Sequence, residues 1–255
     1  MSVAGYSRRS SRREATPYTD LRTPMFSLGP TPFDFDFSFA RTQVRVSGWH
    51  WVGSAVLGWP LFRAYQSEGL GLPILMVWMA AVFVSILVHE LGHVMAFRLF
   101  GGDGRIMLTP FGGLAFPNKA FTPWRQVFVS LAGPLAQVPL AIGALVAGLL
   151  FEDDLNAMNS NIGVVGLDFI RQMVFINVIW PLFNLVPILP LDGGRISESL
   201  FTRYSNNPTQ WIDSLAIAAA ILVSYLAYQM GQTFVLIMML MLVAPHVQRL
   251  RGPRM

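Results

Sequence analysis

Three residues in one apolar run have the types and spacing for hydrolytic chemistry. Residues 84–97 read VSILVHELGHVMAF. His89 and His93 are four apart, so on a helix they share a face, about 6 Å apart along the axis. Two imidazoles at that spacing can hold one metal ion, and Glu90, next to the first, can take a proton from a water held by that ion. This is the H-E-x-x-H arrangement of zinc hydrolases. The pattern also arises by chance on solvated helices, but this segment is not solvated. An ionisable residue at mid-bilayer costs roughly 2.5–3.5 kcal/mol on insertion scales, and such residues usually face a bundle interior or a wet cavity and do chemistry there.

Two histidines leave a catalytic zinc site one protein ligand short. The chain has no cysteine, so the missing ligand must be His, Asp or Glu. His50, flanked by Trp49 and Trp51, and His246, beside Pro245, read as interfacial or capping residues. Asp192 is the better candidate. It lies in FNLVPILPLDGGR (183–195), where Pro187 and Pro190 break a helix and Gly193 and Gly194 let the backbone turn tightly. Taken alone, Asp-Gly is also an ordinary loop turn, so its value as a ligand depends on where the spans place it.

The composition is that of a membrane protein. Of 255 residues, 53% are hydrophobic and only 13% charged, against about 25% charged in soluble domains, and mean hydropathy is +0.50. Six apolar stretches, approximately 48–65, 73–99, 125–150, 166–188, 212–230 and 233–248, predict about six transmembrane helices. With the N-terminus cytosolic, Arg8, Arg9, Arg12, Arg13, Arg22, Arg41 and Arg45, then Arg98, Arg105, Lys119 and Arg125, then Arg195 and Arg203, then Arg249, Arg251 and Arg254 all fall inside; only Arg63 and Arg171 fall outside. Retention of basic residues on the cytosolic side predicts that orientation, with both termini cytosolic. Glu152, Asp153 and Asp154 are then in an outer loop. The charges follow the span ends, so the basic pI near 9.8 does not point to nucleic acid. In this topology the second and fourth spans run the same way, and Asp192 meets His89 and His93 at one depth near the cytosolic face.

Residues 1–40 are predicted to be a disordered basic cytosolic tail, rich in Arg, Ser and Pro. They lack the apolar core of a secretory signal, and an organelle transit peptide is the competing reading. The membrane-embedded domain is then 41–250, its catalytic core about 73–200, with a short tail at 251–255. Phe33, Phe35, Phe37 and Phe39 alternate with polar residues, the period of a strand with an aromatic face. Thr42–Val46 extends that reading. RIMLTPFGGLAF (105–116) reads as a hairpin bent at Gly112-Gly113 that, with 42–46, forms a small membrane-edge sheet. Its edge has two readings: a platform that accepts an unwound substrate as an added strand, or a structural plug. Asp168 and Arg171 read as a local ion pair. The methionines of LIMMLMLV (236–243) read as lipid-facing or core-packing residues.

Together these residues resemble the site-2 protease family of intramembrane metalloproteases. The resemblance rests on His89-Glu90-Leu91-Gly92-His93, on Asn184 through Arg195, on Phe111-Gly112-Gly113 and on Ala132-Gly133-Pro134, and covers roughly 42–205. It implies an all-α polytopic membrane protein with a three-helix catalytic core formed by the second, third and fourth spans. It implies one zinc ion held by His89, His93 and Asp192, with Glu90 as general base and Asn184 orienting substrate or stabilising the oxyanion. The implied partners are a transmembrane protein substrate and membrane lipid, and the implied process is regulated intramembrane proteolysis. One departure is Gln137, where the family often has Asn; Gln supplies the same amide. Two other functions compete: a silent membrane scaffold of the same fold, argued against by the intact His, Glu and Asp set, and an intramembrane metal carrier, argued against by the absence of an internal repeat.

Overall fold

The computed structural model describes residues 29–158 and 160–251. The first two elements are strands, β1 (Phe35–Phe39) and β2 (Thr42–Val46). The helix α1 (Gly48–Ala64) follows, then α2 (Gly71–Leu99), the strands β3 (Gly104–Thr109) and β4 (Gly112–Pro117), and the helices α3 (Pro123–Ala157), α4 (Asn161–Asn184), α5 (Asp192–Tyr204), α6 (Pro208–Gln229) and α7 (Thr233–Arg251). Five of these helices, α2, α3, α4, α6 and α7, are long and apolar enough to cross a membrane. The protein is an integral membrane protein on that basis. The sixth expected span, 48–65, is the 17-residue α1, which is shorter than the roughly 20 residues a hydrocarbon core requires.

Most of α2 is Leu, Val, Ile, Met and Ala, and it has no proline beyond its first turn to interrupt its 29 residues. It packs against α1, α3 and α4, and α3 packs along α4. At 35 residues α3 is about 52 Å long, and it carries Glu152, Asp153 and Asp154 inside its last turns instead of in a loop. The 189–211 segment, expected as a loop, holds α5; its Ser, Arg and Glu leave it too polar to register as a span.

The sheet has the order β1-β2-β3-β4, with β1–β2 and β3–β4 antiparallel and β2–β3 parallel. One face is buried: Val44, Val46, Ile106 and Leu108 join Val82, Ile86, Val94 and Phe97 of α2 in one core. The predicted sheet is therefore present, with two corrections. Residues 35–39 of the segment read as a tail form β1; residues 1–28 lie outside the described residues, as do 252–255 of the C-terminal tail. The hairpin bends at Pro110-Phe111, since Thr109 pairs with Gly112, and Gly112-Gly113 opens β4.

Side chains of α1 and α4 make contacts other than those expected from the sequence. His50 is buried, with Nδ1 3.0 Å from the Thr109 carbonyl oxygen, so it fastens α1 to the hairpin. Asp168 and Arg171 do not pair with each other. Arg171 points outward to Glu152 of α3 at 3.7 Å, while Asp168 turns inward and accepts from the Tyr65 hydroxyl at 3.3 Å and from Gln172.

Candidate metal centre

The histidines lie two-thirds of the way along α2, where the helix is covered by α3 and β4. His89 and His93 are both buried, and their rings meet edge to face with centroids 4.9 Å apart. Asp192 reaches them from the first turn of α5. Leu185 to Leu191 forms an irregular link after α4, and residues 193 and 194 pass so close to the backbone of 185–189 that a Cβ at either would lie within about 2.4 Å of main-chain atoms. Glycine there is what lets Asp192 fold back over the end of α4.

The three side chains converge on one point. His89 Nε2 and His93 Nε2 are 3.2 Å apart, and Asp192 Oδ2 lies 3.1 Å from the first and 3.3 Å from the second. A tetrahedral zinc with bonds of about 2.0–2.1 Å separates its ligand atoms by roughly 3.3 Å. The triangle therefore has the dimensions of one face of that tetrahedron. Its donors are two neutral-capable imidazoles and a carboxylate, the set that leaves a fourth position open in catalytic zinc sites. Burial raises the Asp192 carboxyl, but the His93 and His89 imidazoles beside it outweigh burial and hold it below the usual carboxylate range. Among the described residues this is the group of His, Asp and Glu side chains close enough to share an ion.

The remaining nitrogens of the imidazoles are engaged. His93 Nδ1 is 2.7 Å from the Val129 carbonyl oxygen and His89 Nδ1 is 2.8 Å from Gln137 Oε1. Gln137, the departure from the expected Asn, is fully buried and faces His89, not the open cavity. Room for both rings depends on Gly133 of α3: a Cβ there would lie 2.3 Å from His93 Nε2 and 2.8 Å from His89 Nε2. Gly113 does the same for Glu90, since its Cβ would lie 2.3 Å from Glu90 Cγ. The glycines of both short motifs are thus clearances for site side chains.

Glu90 is buried and lines the same cavity of about 90 Å³ as His89, His93 and Asp192. The Ala115 backbone hydrogen-bonds its carboxylate. Asn184 also lines this cavity from the end of α4, with one amide N–H donated to the Trp180 carbonyl at 3.1 Å and the second N–H available. Two residues that sequence reasoning gave no role in the site line it too: Arg195, one turn past Asp192, and Met238 of α7. Met241 joins them, so part of the methionine run faces the site, while Met239 packs in the core as expected. A second cavity of about 610 Å³, mostly apolar, lies between α1, α2, α4 and the start of α7 and shares Phe111, Gly112, Trp180, Phe183 and Met238 with the first. His246 takes no part in the site. It is buried against Asp213 of α6, Nδ1 to Oδ1 2.7 Å, a pairing neither sequence reading anticipated.

A membrane helix bundle that closes two histidines of one helix and a carboxylate of another element around a single point, with a glutamate alongside, is the architecture of a membrane metallopeptidase. The comparisons agree. Residues 77–227 match peptidase family M50, and the chain belongs to that family. A zinc metalloprotease of Methanocaldococcus jannaschii is 29% identical over 160 residues, 62% of this chain and 40% of that protein. Stage IV sporulation protein FB of Bacillus subtilis is 30% identical over 125 residues, 48% of this chain and 39% of that protein. A Synechocystis sp. protein is 34% identical over 133 residues, 51% of this chain and 33% of that protein. The chain thus spans a third to two-fifths of the length of these relatives. The solved structure of the site-2 protease from Methanocaldococcus jannaschii superposes with a TM-score of 0.56 at 21% identity, covering 88% of this chain and 98% of that one. The fold is that of a site-2 protease.

Proposed function

We propose that this protein is a zinc-dependent endopeptidase that cuts membrane-anchored proteins at the level of the bilayer, with one zinc per chain held by His89, His93 and Asp192. The observation that carries the reading is the buried triangle of His89, His93 and Asp192 with Glu90 beside β4, the last strand of the sheet. When bound, zinc makes water acidic near neutral pH and polarises a carbonyl. Glu90 is placed to accept the proton of the attacking water and to pass it to the leaving amine. The free N–H of Asn184 is placed to donate to the carbonyl oxygen as charge develops on it.

The substrate's amides are shielded while it remains helical, so it must be held extended. The β4 strand supplies a means. It is the last strand of the sheet, and its hairpin closes on the Thr109–Gly112 pair. In such a two-residue hairpin the closing pair is hydrogen-bonded and the bonding alternates, so Gly113 and Ala115 turn their N–H and C=O away from β3. These are the residues beside Glu90. An unwound segment added at this edge would present its backbone to the site, and the apolar cavity between α1, α2, α4 and α7 gives it a route from the lipid. In the proposed orientation the sheet end of the bundle, where Arg98, Arg105, Lys119 and Arg125 gather, faces the cytosol.

The test is cleavage of tagged single-span reporter proteins by purified wild-type protein and Glu90→Gln, with zinc measured in both. The expected result is a loss of at least about 1,000-fold in cleavage with zinc content unchanged. Equal cleavage by the two proteins would reject the hydrolase reading.

A further inference from the structure

Both histidines turn Nε2 to the metal position, but they are held there differently. His93 Nδ1 faces the Val129 carbonyl. A backbone carbonyl can only accept, so Nδ1 carries the proton and Nε2 keeps its lone pair. His89 Nδ1 faces a side-chain amide, and an amide can turn over. With Gln137 reversed, its NH₂ would confront Nδ1, the ring proton would move to Nε2, and His89 could not bind a metal.

A chain of hydrogen bonds across three helices opposes that reversal. Gln137 of α3 donates from Nε2 to Asn177 Oδ1 of α4 at 3.1 Å. Asn177 donates from Nδ2 to Ser85 Oγ of α2 at 2.9 Å and to the Met173 carbonyl at 2.8 Å. Ser85 can donate or accept, so it fixes nothing. The Met173 carbonyl is main chain and cannot turn. It therefore dictates which end of Asn177 faces it, Asn177 dictates the sense of Gln137, and Gln137 dictates the tautomer of His89. Ser85, Gln137 and Asn177 are all buried, so no bulk water stands in for a lost partner.

We propose that the Met173 carbonyl, Asn177 and Gln137 form a polarity relay that sets His89 in its metal-binding tautomer, making Gln137 and Asn177 positioning residues of the metal centre. The proposal rests on the zinc reading above. In its own terms it concerns the sense of two buried amides and the proton at His89 Nδ1, which can be read without the metal.

The relay and a mere packing role make opposite predictions for conservative and apolar substitutions. In the relay, Gln137→Glu still offers His89 an acceptor and retains zinc affinity near wild type, while Asn177→Asp keeps an acceptor for Gln137 but loses the bond to Met173 and falls between that variant and the leucines. Gln137→Leu and Asn177→Leu remove the direction and weaken zinc binding by about 10- to 100-fold, the range for ligand-orienting partners. Packing alone would tolerate the leucines, of similar volume and at home among apolar helices, and would be damaged by the buried carboxylates. The measurement is competition with a chelator on the purified full-length chain, with thermal unfolding followed in parallel. Where a variant fails to fold, ¹⁵N NMR of the imidazoles in apo wild-type protein decides: a proton on Nδ1 of His89 is expected, whether or not Nε2 carries a second one toward Asp192, and a bare Nδ1 overturns the relay. Wild-type affinity in the two leucine variants also overturns it. A wild-type protein that binds no zinc instead sinks the metal reading, and the tautomer measurement still stands by itself.

Discussion

The α2–α3–α4 core and the α6–α7 pair are built on different principles. In the core, α2 and α4 share one apolar cluster with the sheet, and polar side chains bridge the three helices at their centre, from Ser85 through Asn177 and Gln137 to His89. The α6–α7 pair has a separate cluster, in which Ala216, Ala220, Met239 and Leu242 close around Ile188 of the link after α4. Its polar tie is one buried group: Asp213 holds His246 at 2.7 Å and Arg249 at 2.6 Å. The site draws on both regions. His89, Glu90 and His93 come from the core, whereas Asp192 lies four residues past Ile188, on the seam. Met238, Met241 and Leu242 of α7 then wall the cavity. The histidine pair is therefore set by the core and Asp192 by the seam, while the wall over them belongs to a unit with its own packing.

Perturbing each region should therefore separate metal binding from stability. The largest effect is expected in the core. Gly133→Ala puts a methyl where both Nε2 atoms converge, so zinc affinity should fall by more than about 100-fold, read by metal content after dialysis; full zinc content would show that α3 can give way. A smaller effect is expected in the α6–α7 pair. Asp213→Ala leaves His246 buried without its partner and should lower unfolding stability by about 1–3 kcal/mol, read by thermal or denaturant unfolding, with zinc content intact. Loss of zinc in that variant would break the division drawn here. The smallest effect lies outside both regions. Asp34 accepts from the Thr31 hydroxyl at 2.7 Å and the Gly48 N–H at 2.8 Å, tying the β1 segment to the start of α1. The modest burial of its carboxyl raises its pKa, and the Thr31 and Gly48 bonds with Arg45 outweigh that and bring it below the ordinary value. Because the folded pKa is the lower one, this tie is complete above the ordinary carboxylate range and is lost as pH falls through the folded value. The Gly48 amide resonance should shift over that acid range, and a flat Gly48 profile would contradict it.

How much of this was legible in the sequence follows from the range of each interaction. His89, Glu90 and His93 were legible because a helix converts a spacing of four into a shared face. Asp192 was legible because Pro187, Pro190 and two glycines announce a reversal at the end of a span. The sheet showed itself in the alternation of Phe35, Phe37 and Phe39. What remained hidden is long-range. Ser85, Gln137 and Asn177 are polar residues in apolar helices, a signal available in the sequence, but only packing shows that they meet. The Asp213–His246 pair has the same character, 33 residues apart. The bend at Pro110-Phe111 was misplaced because Gly112 and Gly113 look like turn residues, whereas they are small to clear Trp180 and Glu90. Asp168 was misassigned because proximity along a helix says nothing of which neighbour lies across from it.

The central claim is that His89, His93 and Asp192 close on one zinc ion. X-ray absorption at the zinc edge, on the purified full-length chain, tests it most directly. The account predicts one zinc per chain in a first shell of two imidazole nitrogens and carboxylate or water oxygen at about 2.0–2.1 Å. A chain that holds no stoichiometric zinc, or a shell without imidazole, would contradict it.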